Sequence, residues 1–169
     1  MITLLLIAAG VSSAQTDSLR FAFDLDVPAG RYSFWRLESL RSATRMEADF
    51  QVVELRRHRE WAPGFSFSLK SGDSTLMVQL TTTAGNAPLS ATVQHYVASD
   101  VVDQTGLAGS FMLQDTIMIG LDWSSAGRVL VTLGANSRSV NLPFRPQTLE
   151  VTTSTGEMAV HRMVLTKPK

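Results

Sequence analysis

The sequence has no cysteine. Neither a disulfide scaffold nor a thiolate metal site can form, so the fold must be held by core burial alone. There is no surplus of charge: 15 Lys and Arg stand against 15 Asp and Glu, and only 18% of residues are charged. Nucleic acid and anionic lipid both attract proteins with a basic excess or patch, so neither partner is expected. Aromatic residues make up only 8% of the chain. Beyond residue 14 no stretch keeps a helical apolar period for three turns. The chain is instead 44% hydrophobic over 169 residues, which suits one domain-sized core and excludes intrinsic disorder.

The first residues form a separate unit. Met1 to Val11 are mostly apolar, and Ser12-Ser13-Ala14 are small. A helix of this apolar length covers about 15 Å, half of a bilayer core, so it is no stable membrane span. Ser12 and Ala14 sit where a signal peptidase accepts small side chains, which predicts cleavage before Gln15. No Lys or Arg precedes the apolar run, so the α-amino group alone supplies the positive end. The expectation is a signal peptide over 1–14, one domain over 15–169, and a secreted or periplasmic protein. With no Cys after the leader, lipid anchoring of the bacterial lipoprotein type is excluded.

From Leu19 onward the apolar period is two. Phe21, Phe23 and Leu25 alternate with Ala22 and Asp24; Met46, Ala48 and Phe50 alternate with Glu47 and Asp49. Phe65, Phe67 and Leu69, then Leu76, Val78 and Leu80, then Ile117, Ile119 and Leu121, and Val129, Val131 and Leu133 repeat the pattern. Such alternation marks strands buried on one face. Turn signals at Ser71-Gly72-Asp73, Ser124 to Gly127 and Gly134 to Ser137 link these runs as hairpins. Those at Pro28-Ala29-Gly30, Ala62-Pro63-Gly64, Pro143 to Pro146 and Ser154-Thr155-Gly156 end others. Ser39 to Glu54 is the best helix candidate, although Phe50 to Val53 reads as strand; Asp100 to Gly109 suits one short turn. About ten to twelve short strands predict an all-β sandwich of two antiparallel sheets. Phe21, Phe23, Phe50, Phe67, Val78, Leu121 and Val131 are expected in one core.

The segment Ile119 to Val131 reads strand, Trp123, small-residue turn, Gly127, strand. It resembles the hairpin of concanavalin A-like jelly rolls, the lectin and glucanase superfamily that includes laminin G-like domains. The strands around Met46–Val53, Phe67 and Val78, with the Trp61–Gly64 loop, follow the strand order of that superfamily. The resemblance implies a curved sandwich, often with carbohydrate on a concave face or its rim. Many members hold calcium on clustered Asp and Asn. Here Asp100, Asp103 and Asp115 are dispersed, and calcium needs about six to eight oxygen ligands, so no metal and no cofactor is expected.

Glycoside hydrolases of the laminarinase-like branch carry a Glu-x-Asp-x-Glu strand. Glu47 and Asp49 match two of those places, but the third holds Gln51, which cannot donate and retake a proton. Retaining hydrolysis needs two carboxyls about 5.5 Å apart, so the plainer reading is a solvated polar face. His58, His95 and His161 lie on separate segments with no metal spacing, and strand parity puts His95 and His161 on apolar faces. No Ser occupies a Gly-x-Ser-x-Gly elbow. Arg56-Arg57-His58-Arg59 is a basic cluster beside Trp61; it suits contact with an acidic polysaccharide, or simply a charged loop balanced by Glu54 and Glu60. Trp123 ends an apolar face and belongs in the core, while Trp35 is ambiguous.

Trp61 lies in a loop, where an indole can stack on the apolar face of a sugar ring. Gln94 and Tyr96 share one strand face and Gln79 belongs to another, and together they line a polar concavity. The expected function is non-catalytic, lectin-like carbohydrate binding, with Trp61 as aromatic platform and Gln79, Gln94 and Tyr96 as polar contacts. The alternatives are a structural or protein-interaction sandwich with a protein partner, and a divergent glycan-active enzyme.

Overall fold

A computed structural model describes residues 18–82 and 88–167; the expected leader lies outside them. The elements are β1 (Ser18–Glu38), a 3-10 turn (Leu40–Ser42), β2 (Arg45–Leu55), β3 (Gly64–Ser71), β4 (Ser74–Thr81) and β5 (Leu89–Val97). Then follow β6 (Asp100–Phe111), β7 (Thr116–Asp122), β8 (Arg128–Leu133), β9 (Asn136–Asn141) and β10 (Thr148–Thr166). Every pairing is antiparallel.

Two long strands organise the rest. Residues 148–154 of β10 pair with β3 on one side and with residues 32–38 of β1 on the other. Residues 156–166 of β10 pair instead with β2 and with residues 18–27 of β1. Both strands therefore leave one layer and enter the other. The first layer runs β6-β5-β4-β3-β10-β1, and the second runs β9-β8-β7-β2-β10-β1.

The crossing is a built corner. Gly30 has φ +72°, and the register of β1 shifts between Val27 and Tyr32. Opposite it, Thr155 is fully buried at φ 54°, an uncommon conformation for a β-branched side chain that costs about 1–3 kcal/mol. Its neighbours hold it there. Thr155 Oγ1 accepts the Gly30 N–H at 3.3 Å, and its carbonyl accepts the Arg56 N–H at 3.0 Å. Gly156 admits the close approach of β2: a Cβ there would stand 2.6 Å from the Glu54 carbonyl oxygen and 3.0 Å from the Phe65 ring.

The core lies between the layers. Phe50 of β2 and Phe67 of β3, both fully buried, meet across it with ring centroids 5.0 Å apart and planes tilted by 56°. Val78, Leu121 and Val131 belong to the same cluster, and Phe21 and Phe23 pack against it half-buried. Trp35 closes that side: it stacks on Phe23 at 4.9 Å and tilts onto Phe21 at 5.0 Å. Trp123 is buried, and its indole N–H donates to the Ala43 carbonyl at 2.9 Å. Burying each large apolar side chain contributes about 2 kcal/mol.

Several local expectations change. Residues 39–54 form no α-helix; one 3-10 turn leads into β2, where period-two burial outweighs helix propensity. Asp100 to Gly109 is not a turn but most of edge strand β6. Pro28–Gly30 and Ser154–Gly156 do not end strands, because β1 and β10 continue through them and only bend. His161 is exposed. A register shift between Val160 and Arg162 makes it the extra residue of a bulge and breaks its parity with Met163 and Leu165.

Gly156→Ala should lower unfolding free energy by more than about 2 kcal/mol, since backbone must move to admit the methyl. Urea unfolding checks this. A loss below about 0.5 kcal/mol would show that the corner yields freely.

Candidate functional site

The outer face of the first layer is polar and stepped. Antiparallel register sets its side chains in rows across the strands. One row runs Phe34, Thr152, Ser66, Gln79, Thr92; the next runs Arg36, Glu150, Ser68, Met77, Gln94, Gln104. The two central strands, β10 and β3, carry mainly short Ser and Thr side chains in these rows. The flanking strands carry long ones. Short residues between long ones make a trough parallel to the strands, with a volume of about 410 Å³. Gly64 to Lys70 spans it lengthwise, about 20 Å at strand rise.

The floor is close-set. Ser66 and Ser68 are only 7% and 3% exposed although they face away from the core. Their hydroxyls hold no hydrogen bond to any described residue, and neither does that of Thr152. Each offers one donor and two acceptor sites.

At one end of the floor lies Glu150, 7% exposed. Its Oε2 accepts Nε and Nη2 of Arg36 at 2.9 and 2.5 Å, and its Oε1 accepts Lys70 Nζ. Arg36 in turn rests on the Phe34 ring, its guanidinium carbon 4.7 Å from the centroid. Burial pushes the Glu150 carboxyl up, but the hydrogen bonds and charges of Lys70 and Arg36 outweigh it and hold the group below its ordinary value of 4.5. Glu150 is therefore a fixed carboxylate between two cations.

The expected site residues fall unevenly around this trough. Gln79 and Tyr96 line it. Gln94, on the same strand as Tyr96 and across from Met77, lies outside the lining and accepts the Tyr96 hydroxyl at 2.7 Å. Its amide donates to Gln104 Oε1 at 3.3 Å. Tyr96, Gln94 and Gln104 thus form a hydrogen-bonded chain that runs outward from the wall of the trough. Trp61 does not line the trough. It lies just past one end, whose lining includes its neighbours Ala62 and Pro63. It is 42% exposed and stacks on Tyr32, with centroids 6.4 Å apart and planes 12° from parallel.

Sequence reasoning missed Arg36, Lys70 and Glu150. Only the sheet register brings them together, across 114 and 80 positions. The available signal was Lys70 at the polar parity of its strand. Glu47, Asp49 and Gln51 lie on the outer face of the other layer. Glu47 pairs with Arg45, Asp49 with Arg162 at 3.4 Å, and the Gln51 amide donates to the Gln114 carbonyl. They do not meet the trough. His95 faces inward toward Phe144, with rings 5.9 Å apart and a buried Nε2 that has no partner among the described residues. Among the described residues no three His, Asp or Glu side chains gather as a metal would require, and no helix is long and apolar enough to cross a membrane.

No protein-family model matches the chain, and no curated protein matches it in sequence. Solved structures do match in shape. Galectin LEC-6 of Caenorhabditis elegans is 12% identical with a TM-score of 0.57, over 84% of this chain and 94% of that one. A toad ovary galectin, solved in complex with thio-digalactose, is 8% identical with a TM-score of 0.56, over 78% and 98%. The Crh5 transglycosylase, solved in complex with NAG, is 12% identical with a TM-score of 0.62, over 88% and 72%. At these identities the likeness is one of fold. The chain has the two-layer antiparallel jelly-roll fold of these structures, an architecture shared here by galectins and a transglycosylase.

Because Glu150 is held below its ordinary value, its contribution to stability is full above pH 4.5 and fades as pH falls through the lowered value. Glu150→Gln should cost about 1–2 kcal/mol at pH 7. The difference from the parent protein should shrink steadily below pH 4.5. Thermal unfolding of both proteins between neutral and acid pH checks this, and a pH-independent difference would contradict it.

Proposed function

We propose that the protein is a non-catalytic carbohydrate-binding domain that holds a glycan along the trough of its first layer. The observation that carries this reading is the floor: hydroxyls without partners among the described residues, set beside a carboxylate already fixed between two cations. Sugars present closely spaced hydroxyls that both donate and accept. A preset floor meets them without ordering side chains on binding, which keeps the entropic cost low. Gln79, Tyr96 and Gln94 supply polar contacts along one wall, and Trp61 extends the surface with an apolar platform. The sugar-binding galectin among the structural neighbours supports this reading at the level of fold.

Chemistry in the trough is disfavoured by the state of Glu150. Cations engage both of its oxygens and favour the ionised form, so it carries no proton to give a leaving group. The pair Glu47 and Asp49 is spent on arginines of the opposite face. The apolar leader read from the sequence fits a role outside the cytoplasm, where glycans are displayed.

A glycan array should find ligands for the full chain. Ser66→Tyr, which fills the trough, should abolish that binding and leave the fold intact. Trp61→Ala should weaken it several-fold, since losing an aromatic anchor typically costs about 1 kcal/mol or more. A blank array, or ligands that Ser66→Tyr still binds, would refute the proposal. Turnover of a polysaccharide that is lost on Glu150→Gln would favour an enzyme.

A further inference from the structure

The loop that carries Trp61 is fixed to the corner by His58. The His58 ring lies on Gly30, so close that a Cβ there would stand 2.7 Å from Nε2, and its Nδ1 accepts the Glu60 N–H at 3.2 Å. Arg56 is fully engaged. It binds Asp26 at 2.5 Å, the Val27 carbonyl at 2.8 Å and Glu54 at 2.8 Å, with Glu157 at 3.8 Å. The local carboxylates thus gather on Arg56 on the outer face of the second layer. Arg31, Arg57 and Arg59 are exposed and have no acceptor among the described residues. Glu60 is the one acidic residue within this loop.

Two depressions flank Trp61. One, about 600 Å³, has Arg57, His58, Arg59, Glu60 and Trp61 in its lining; the other, about 470 Å³, has Arg31, Tyr32, Phe34 and Trp61. Tyr32 and Phe34 are 62% and 46% exposed, so with Trp61 three part-exposed aromatic rings lie among three arginines that have no ion pair among the described residues, although one face of Phe34 carries Arg36. Ala62 and Pro63 line both the larger depression and the end of the trough, which makes the surface continuous.

We propose that the end of the trough beside Trp61 is a subsite for a negatively charged sugar, a carboxylated or sulfated unit of a polysaccharide whose neighbouring units lie in the trough. It rests on the glycan reading given above. Planar guanidiniums bind carboxylate and sulfate oxygens in bidentate fashion, and the aromatic rings take the apolar face of the sugar that carries the anion. A nucleic acid fits less well: it needs an extended basic track, and this chain has no net charge beyond one compact group of arginines.

The test is affinity electrophoresis of the full chain in gels containing polygalacturonate, dextran sulfate or neutral dextran. Retardation is expected from polygalacturonate, from dextran sulfate or from both; the pattern tells carboxylate from sulfate. The triple variant Arg31→Gln, Arg57→Gln, Arg59→Gln should weaken it about tenfold or more, and so should high salt. These residues are exposed, so circular dichroism should be unchanged. No retardation by either acidic polymer, or retardation untouched by the triple variant, would overturn the subsite and leave the trough to stand on its array result. Retardation that the triple variant loses but Ser66→Tyr keeps would uphold the arginine site and sink the trough reading. Equal or tighter binding to a single-stranded oligodeoxynucleotide, or to phosphatidylserine vesicles, would overturn the assignment to a saccharide.

Discussion

The hydrogen bond from the Gly30 N–H to Thr155 Oγ1 marks the constraint on which the molecule is built. There two strands bend together and carry the hydrogen-bond ladder from one layer into the other. Without the bend, β10 would be a straight strand of 19 residues in one flat sheet, and no second layer would cover its apolar face. With it, one strand supplies Glu150 and Thr152 to the trough and Met158, Val160 and Met163 to the core. The strain of a left-handed threonine is sustained because bonds from β1 and from Arg56, just past the end of β2, hold it there.

Period-two alternation made most of the architecture legible. Glu47, Asp49 and Gln51 face out while Met46, Ala48 and Phe50 face in, and β3, β4, β7 and β8 show the same agreement. The corner was not legible. Pro28-Ala29-Gly30 and Ser154-Thr155-Gly156 have the composition of chain-reversing turns. A turn and a bend need the same φ-permissive residues, and only pairing partners on both sides tell them apart. The bulge at His161 shows a second limit: one inserted residue reverses facing, and no local signal announces it.

The lining of the trough was legible where it depends on parity within a strand. Gln79 and Tyr96 do point into one trough. It was hidden where it depends on which strands are neighbours. Arg36, Lys70 and Glu150 come from β1, β3 and β10, adjacent in the sheet and remote in the chain. Trp61 reads as a loop aromatic in either view, but its partner Tyr32 follows only from the corner.

The layers are joined unequally along their two sides. On one side β1 and β10 run through both, so separating the layers there means breaking covalent chain or unzipping whole strands. On the other, edge strands β6 and β9 meet through a bond from Arg138 Nη1 to the Gly106 carbonyl at 3.3 Å. The sandwich is a book with a spine and a loosely clasped fore-edge. Amide exchange and partial opening should begin at the fore-edge, where the layers share no strand, and reach β10, paired on both sides, only with global unfolding. The trough lies nearer the spine, and it keeps its shape while the far edge breathes.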